Sequence, residues 1–257
     1  MDQTVIVGLG EIGKPLLEIM KTRYQTFGVD INQPASISRC DVMHICFPCE
    51  SGKFATQVVE YIRQYQPALT IINSMVAPGT TRSIAVESGT AVVHSPIRGK
   101  HVRMQEEMLH YTKFIGALDL QSGQRAIEHF EGVGMKTKLL TPPEASEIAK
   151  LTETTYFGLM IAWAQEVERY CTKLGANYDE VVSFYDEIKF FPPVKYFPGV
   201  IGGHCVMPNI AILRQQFPSG FLEAIVKSNA MKQKNLGSDG WLGTSGLPVA
   251  QLGEESQ

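Results

Sequence analysis

The run Val5-Ile6-Val7-Gly8-Leu9-Gly10-Glu11-Ile12-Gly13 constrains this chain more than any other stretch. A β-branched segment ends in glycine, two more glycines follow, and an amphipathic stretch over 12–23 begins at once. That order reads as strand, tight turn and helix. Gly8 permits the turn, Gly10 lets a ligand approach the backbone, and Gly13 lets the helix lie close on the sheet. The helix N-terminus then turns its free amides and positive dipole end toward the turn, which suits phosphate oxygens. Asp30 ends the next β-rich run, FGVD, 17 residues after Gly13. A carboxylate there accepts hydrogen bonds from a ribose and repels a 2′-phosphate, so the segment predicts a dinucleotide site that takes NAD rather than NADP. Leu9, Glu11 and Ile12 complete the loop. Phe47, Pro48 and Ser74 follow later strand candidates, on the carboxyl edge where such sheets hold ligands.

Strand-like runs at 4–7, 26–29, 42–47, 69–73, 91–94, 113–116 and 136–139 alternate with helical stretches that include 53–65 and 123–131. The alternation predicts an α/β fold, a Rossmann-type doubly wound parallel sheet, followed by a long connecting helix and a smaller all-α domain. Thr141-Pro142-Pro143-Glu144 reads as a capping box that opens this helix, and Gly175 offers its C-terminal cap. Apolar positions such as Trp163, Val167, Tyr170 and Leu174 spread over more than one stripe, which predicts packing on several sides and a homodimer through the helix. Further helices are expected over 178–188, 210–216 and 220–232. The expected domains are 1–140 for NAD binding, 141–233 for dimerisation and substrate, and 234–257 as a flexible tail.

A net charge of −3 and a pI near 6.1 supply no basic field for nucleic acid, and no apolar run is long enough to span a bilayer. The N-terminus enters a strand directly, without a charged leader, so a cytoplasmic protein with a small-molecule substrate is expected. Five cysteines suit reduced thiols better than a disulfide framework. The Cys46-Phe47-Pro48-Cys49 spacing lacks a second ligand pair and reads as the end of a buried strand, so no metal site is expected.

Cys205 lies behind Gly202, Gly203 and His204, where the backbone can approach a ligand closely and a neighbouring cation can favour a thiolate. With that loop in place, six segments resemble, in order, the UDP-glucose/GDP-mannose dehydrogenase family. They are VIVGLGEIGKPLLE, ICFPCE, SMVAPGTTR, HSPIR, EIAKLTETTYFGLMIAWAQE and GVIGGHCVMPN. The resemblance implies oxidation of a sugar alcohol to a carboxylate, with two hydrides passed to two NAD molecules through a cysteine-bound thiohemiacetal and thioester. Carried over by position, it makes Cys205 the nucleophile and Lys150 the active-site lysine. Thr154 stands where the family has asparagine and Asn209 where it has aspartate. Met75 replaces its threonine and Ile97 its glutamate. With two acids missing, the thioester-hydrolysis step loses its expected bases, while the first oxidation is less affected. The family also continues into a second α/β domain that holds the nucleotide.

Three functional readings follow. The first is an NAD-dependent oxidoreductase acting on a CH-OH group, with a Lys150/Cys205 site and a sugar nucleotide or smaller polyol as substrate. The second is a single-hydride 3-hydroxyacid-type dehydrogenase, and the third a catalytically weakened NAD-binding protein. Taken without the family, Lys150 would read as a solvated lysine paired with Glu147 one turn earlier.

Overall fold

A computed structural model describes residues 3–31, 37–49, 52–99, 103–186, 197–202 and 205–238, the side chains of 236–238 excepted. In chain order the strands are β1 (Gln3–Val7), β2 (Gln25–Val29), β3 (Val42–Ile45), β4 (Leu69–Ile72), β5 (Val92–His94), β6 (Lys113–Ala117) and β7 (Thr137–Leu140). The helices are α1 (Gly13–Met20), α2 (Phe54–Tyr65), α3 (Thr80–Ser88), α4 (Met104–His110), α5 (Leu120–Glu131), α6 (Pro143–Leu174), α7 (Tyr178–Ser183), α8 (Val206–Gln216) and α9 (Gly220–Ser238). Two compact units arise, one from residues 1–157 and 203–219, the other from 158–202 and 220–257.

In the first unit the strands form one sheet in the order β2-β1-β3-β4-β5-β6-β7. Alternation along each strand divides the core between the two faces. Ile6, Leu69, Ile71 and Ile115 pack with Leu16 of α1, Met108 of α4 and Phe130 of α5. Val5, Val7, Met43, Ile45 and Ile72 pack with Val58 and Ile62 of α2 and Ile84 of α3. Apolar side chains on both faces account for the near-continuous hydrophobic runs and confirm a doubly wound sheet.

The sheet departs from the all-parallel expectation at one place. β6 pairs antiparallel with β5, and β7 parallel with β6, so the last two strands run against the first five. The chain after β5 turns back along the sheet instead of completing a crossover. Two short helices, α3 and α4, were not legible from periodicity.

The long helix starts differently from the capping-box expectation. Its first helical residue is Pro143. The Glu144 carboxylate accepts from Arg82 Nε and Nη2, at 2.6 and 3.0 Å, instead of reaching back to Thr141. The start is seated on the sheet at Gly116, where a side chain would stand 2.9 Å from the Pro143 carbonyl oxygen.

The second unit holds the later part of α6 with α7 and α9. Val167, Cys171 and Val182 form its small core with Tyr178 and Tyr185. Asn229 clamps Ile201 from both sides, accepting from its amide at 2.8 Å and donating to its carbonyl at 2.9 Å. Gln165 donates to the Gly199 carbonyl at 2.6 Å. The expected helix over 178–188 is described only as far as 186, with α7 ending at Ser183, and α9 extends to Ser238. Residues 239–257, most of the expected tail, lie outside the described residues. Among the described residues no helix is long and apolar enough to cross a membrane.

Candidate active site

The strand order reverses between β1 and β3, and the glycine turn lies at that reversal, where the carboxyl ends of the strands open a crevice. Gly8 takes φ +92°, a conformation that only glycine adopts without strain. Its amide donates to the Val29 carbonyl at 2.8 Å, and a side chain there would come within 2.8 Å of the Phe47 nitrogen. A side chain at Gly13 would collide with the Gly8 carbonyl oxygen, at 1.8 Å. Gly10 is exposed, with nothing within 4 Å of the position a side chain would take. Turn and helix are therefore locked together while the middle of the loop stays open, the shape a pyrophosphate requires.

Asp30 stands at the end of β2. Its Oδ2 accepts from the Leu9 amide at 3.2 Å and its Oδ1 from the Ile31 amide at 2.8 Å. The carboxylate thus braces the glycine loop, a role the sequence did not reveal. Ser74 joins the ends of β3 and β4 by donating to the Phe47 carbonyl at 2.6 Å. Phe47 leans on Phe54 and Tyr61, and Pro48 is exposed beside it.

The catalytic candidates come from two helices of the first unit. Cys205 precedes α8 as its N-cap residue and is partly buried. Gly203 and His204 lie outside the described residues. Asn209, one turn into α8 and fully buried, donates from Nδ2 to Thr154 Oγ1 of α6 at 2.6 Å, while its Oδ1 has no partner among the described residues. Gln216 at the far end of α8 donates to the Pro78 carbonyl at 3.2 Å. These bonds tie α8 to α6 and to the turn before α3. Lys150 and Cys205 each lie four residues, about 6 Å along a helix, ahead of the Thr154–Asn209 bond.

Glu147 does not pair with Lys150, contrary to the reading of that lysine without its family. Its buried carboxylate accepts from the Gly79 amide at 2.7 Å, the Thr81 amide at 2.9 Å and Thr81 Oγ1 at 2.6 Å. Burial raises its pKa, with the three donors working against that shift. It caps α3 from outside, because the start of α3 has no capping side chain of its own. Lys150 instead has Glu153 Oε2 at 3.6 Å, and Arg98 holds the other oxygen of Glu153 at 2.7 and 3.1 Å. Ile97, in the place of the family's glutamate, is buried in the core. Cys46 is partly buried at the end of β3, and loss of solvation pushes its thiol up to about 12, far from a reactive state.

Strand, glycine turn, helix and strand-end acid at the reversal point define a Rossmann-type unit. Residues 144–232 match the model of the UDP-glucose/GDP-mannose dehydrogenase family, central domain. The UDP-N-acetyl-D-mannosamine dehydrogenase of Methanocaldococcus jannaschii is 26% identical, in an alignment covering 78% of this chain and 58% of the relative. The chain is similar to that family over these residues and spans less than two thirds of that relative's length. Its fold is shared with the UDP-D-ManNAc dehydrogenase of Pyrococcus horikoshii, at a TM-score of 0.78 and 19% identity over 92% of this chain and 70% of that one. It is shared also with the 3-hydroxyisobutyrate dehydrogenase of Mycobacterium tuberculosis, at 0.72 and 14% identity over 92% and 94%.

Proposed function

We propose that this chain is an NAD-dependent dehydrogenase acting on a CH-OH group, with a sugar nucleotide or a smaller polyol as substrate. The observation that carries the reading is the Asn209–Thr154 hydrogen bond, which joins the helices bearing Cys205 and Lys150 within the unit that holds the glycine turn. The turn around Gly8, Leu9, Gly10, Glu11, Ile12 and Gly13 suits the pyrophosphate, Asp30 a ribose, and Phe47, Pro48 and Ser74 the rim of the crevice. NAD, when bound, supplies a hydride acceptor. Lys150 stabilises the alkoxide that develops as the hydroxyl loses its proton, and the Cys205 sulfur adds to the aldehyde carbon so that oxidation can continue. Thr154 and Asn209 hold the two helices in register.

One structural feature favours a shorter reaction. Ile97 is in the core and Asn209 is a neutral amide committed to Thr154, so neither can activate water against a thioester. On that reading a single hydride is transferred. Counting NADH per substrate consumed, over sugar-nucleotide, polyol and hydroxyacid panels, separates the two: two NADH support the covalent route and one the shorter reaction. Cys205→Ser should leave the first oxidation and abolish the second, whereas Lys150→Ala should abolish both. Tight NAD binding without turnover on any panel would refute both routes in favour of a binding protein. The exposed Trp163, Tyr170 and Leu174 of α6 support a homodimer, to be read by light scattering.

A further inference from the structure

We propose that Lys113 is a positioning residue whose ammonium, by donating three hydrogen bonds, fixes the loops that follow β4 and β5 at the carboxyl edge of the sheet. Its effect on turnover rests on the dehydrogenase reading; the geometry does not. Lys113 is 3% exposed at the start of β6. Its Nζ donates to the Ser95 carbonyl at 2.7 Å, the Pro96 carbonyl at 3.2 Å and Asn73 Oδ1 at 3.4 Å, and stands 5.0 Å from the centre of the Phe130 ring. An ammonium has three donors and no acceptor, so the match to three oxygens is complete only while it is protonated. Asn73 is the residue before Ser74 of the crevice rim, and Ser95 and Pro96 lead directly to Ile97 and Arg98.

The same contacts assign the hydrogens of a buried chain. Asn73 turns its oxygen to Lys113, so its Nδ2 donates to His44 Nδ1 at 3.1 Å. Neutral His44 then carries its hydrogen on Nε2 and donates to His129 Nε2 at 2.9 Å. His94 Nε2 lies 3.2 Å from the Ser74 carbonyl and its Nδ1 2.7 Å from Ser146 Oγ, whose hydroxyl also reaches the Pro143 carbonyl at 2.9 Å. Two independent links therefore converge on 73–74 from one side of the site.

Among the described residues no carboxylate pairs with Lys113. The titratable groups that act on it are Cys46 after β3, His44 of β3, His94 of β5 and Lys150 of α6, with His129 of α5 beyond His44. Burial lowers its pKa to about 7, opposed by Cys46 and, to a smaller extent, assisted by the Lys150 charge. A lowered pKa means that the closed rim binds this proton less tightly than an opened, solvated one, so the contribution of the three bonds is read at fixed pH, by removing the donors.

Hydrogen exchange with mass spectrometry tests this on peptides spanning 71–76 and 93–98, corrected for intrinsic base catalysis. At pH 6 Lys113→Met should show at least fivefold faster exchange than the wild-type protein in both peptides, with no matching loss of Tm, and Lys113→Gln, with two donors, should fall between. Exchange in these peptides equal to wild type, or raised equally in every peptide of the protein, would overturn the proposal. Should Lys113→Met fail to fold, Lys113→Gln carries the same comparison. NADH formation should be lower in each variant in proportion to its faster exchange at 71–76 and 93–98. If exchange behaves as expected but NAD does not bind at any pH, the dehydrogenase reading fails and the positioning role stands.

Discussion

Gly13→Ala and Gly10→Ala place the same methyl group three residues apart in one loop, with opposite expected consequences. At Gly13 the added carbon would stand 1.8 Å from the Gly8 carbonyl oxygen and 2.9 Å from its carbon. Both are backbone atoms, so no side-chain rotation relieves the clash, and α1 must move away from the turn. Overpacking of this kind costs about 1–3 kcal/mol, offset by roughly 1 kcal/mol of helix propensity gained over glycine. The balance is a loss of up to about 2 kcal/mol, or a Tm lower by up to roughly 8 °C for a chain of this size. At Gly10 nothing lies within 4 Å, so stability should stay within about 0.5 kcal/mol of wild type. The Gly10 methyl instead occupies the space that a pyrophosphate needs, and NAD affinity should fall at least tenfold, about 1.4 kcal/mol. Thermal denaturation of the free protein and titration with NADH fluorescence separate the two effects. If Gly10→Ala binds NAD as wild type does, or if Gly13→Ala melts no lower than Gly10→Ala, the crevice is not built as described.

Glu147→Gln places an NH2 group against at least one of three donors and should cost about 1–3 kcal/mol in chemical denaturation. Glu144→Gln, which breaks only a partly exposed pair with Arg82, should cost under about 1 kcal/mol. Thr154→Val removes the partner of Asn209 Nδ2 and leaves a buried amide with none; we expect turnover to fall with NAD affinity unchanged, and equal loss of both would argue against a role confined to α6 and α8. Burial lowers His94 to about 3, His129 to about 4 and His44 well below 6.5. The unfolded chain takes up these protons first. Stability is therefore full above about pH 6.5 and falls as pH drops toward the folded values, by up to about 1.4 kcal/mol per pH unit for each histidine. Urea midpoints that stay flat from pH 7 to pH 5 would contradict this.

Loss of water, more than distance along the chain, divides what could be read early from what could not. Glu147 reads in sequence as a helix-surface acid, one turn from a lysine. In the fold it is buried, and only the three donors of 79–81 make that placement tolerable. The helix it caps was missed for the same reason: α3 lacks a cap of its own, so its signal lies 66 residues away. Lys113 looked like the charged first residue of a strand, yet the alternation that buries Ile115 and Ala117 carries it under α5 as well.

Sequence alone determined the strands, most of the Rossmann helices and the glycine turn with its acid. Those features are written in period, chain branching and glycine spacing, all of which act over a few residues. Only the tertiary structure decided that β6 reverses, that Asp30 braces the Leu9 amide, and that Thr154 and Asn209 join α6 to α8. It also decided that His44, Asn73 and Lys113 share one buried chain of hydrogen bonds. Such choices depend on which polar groups lose their water when separate elements pack, and on which neighbours are then within reach to replace it.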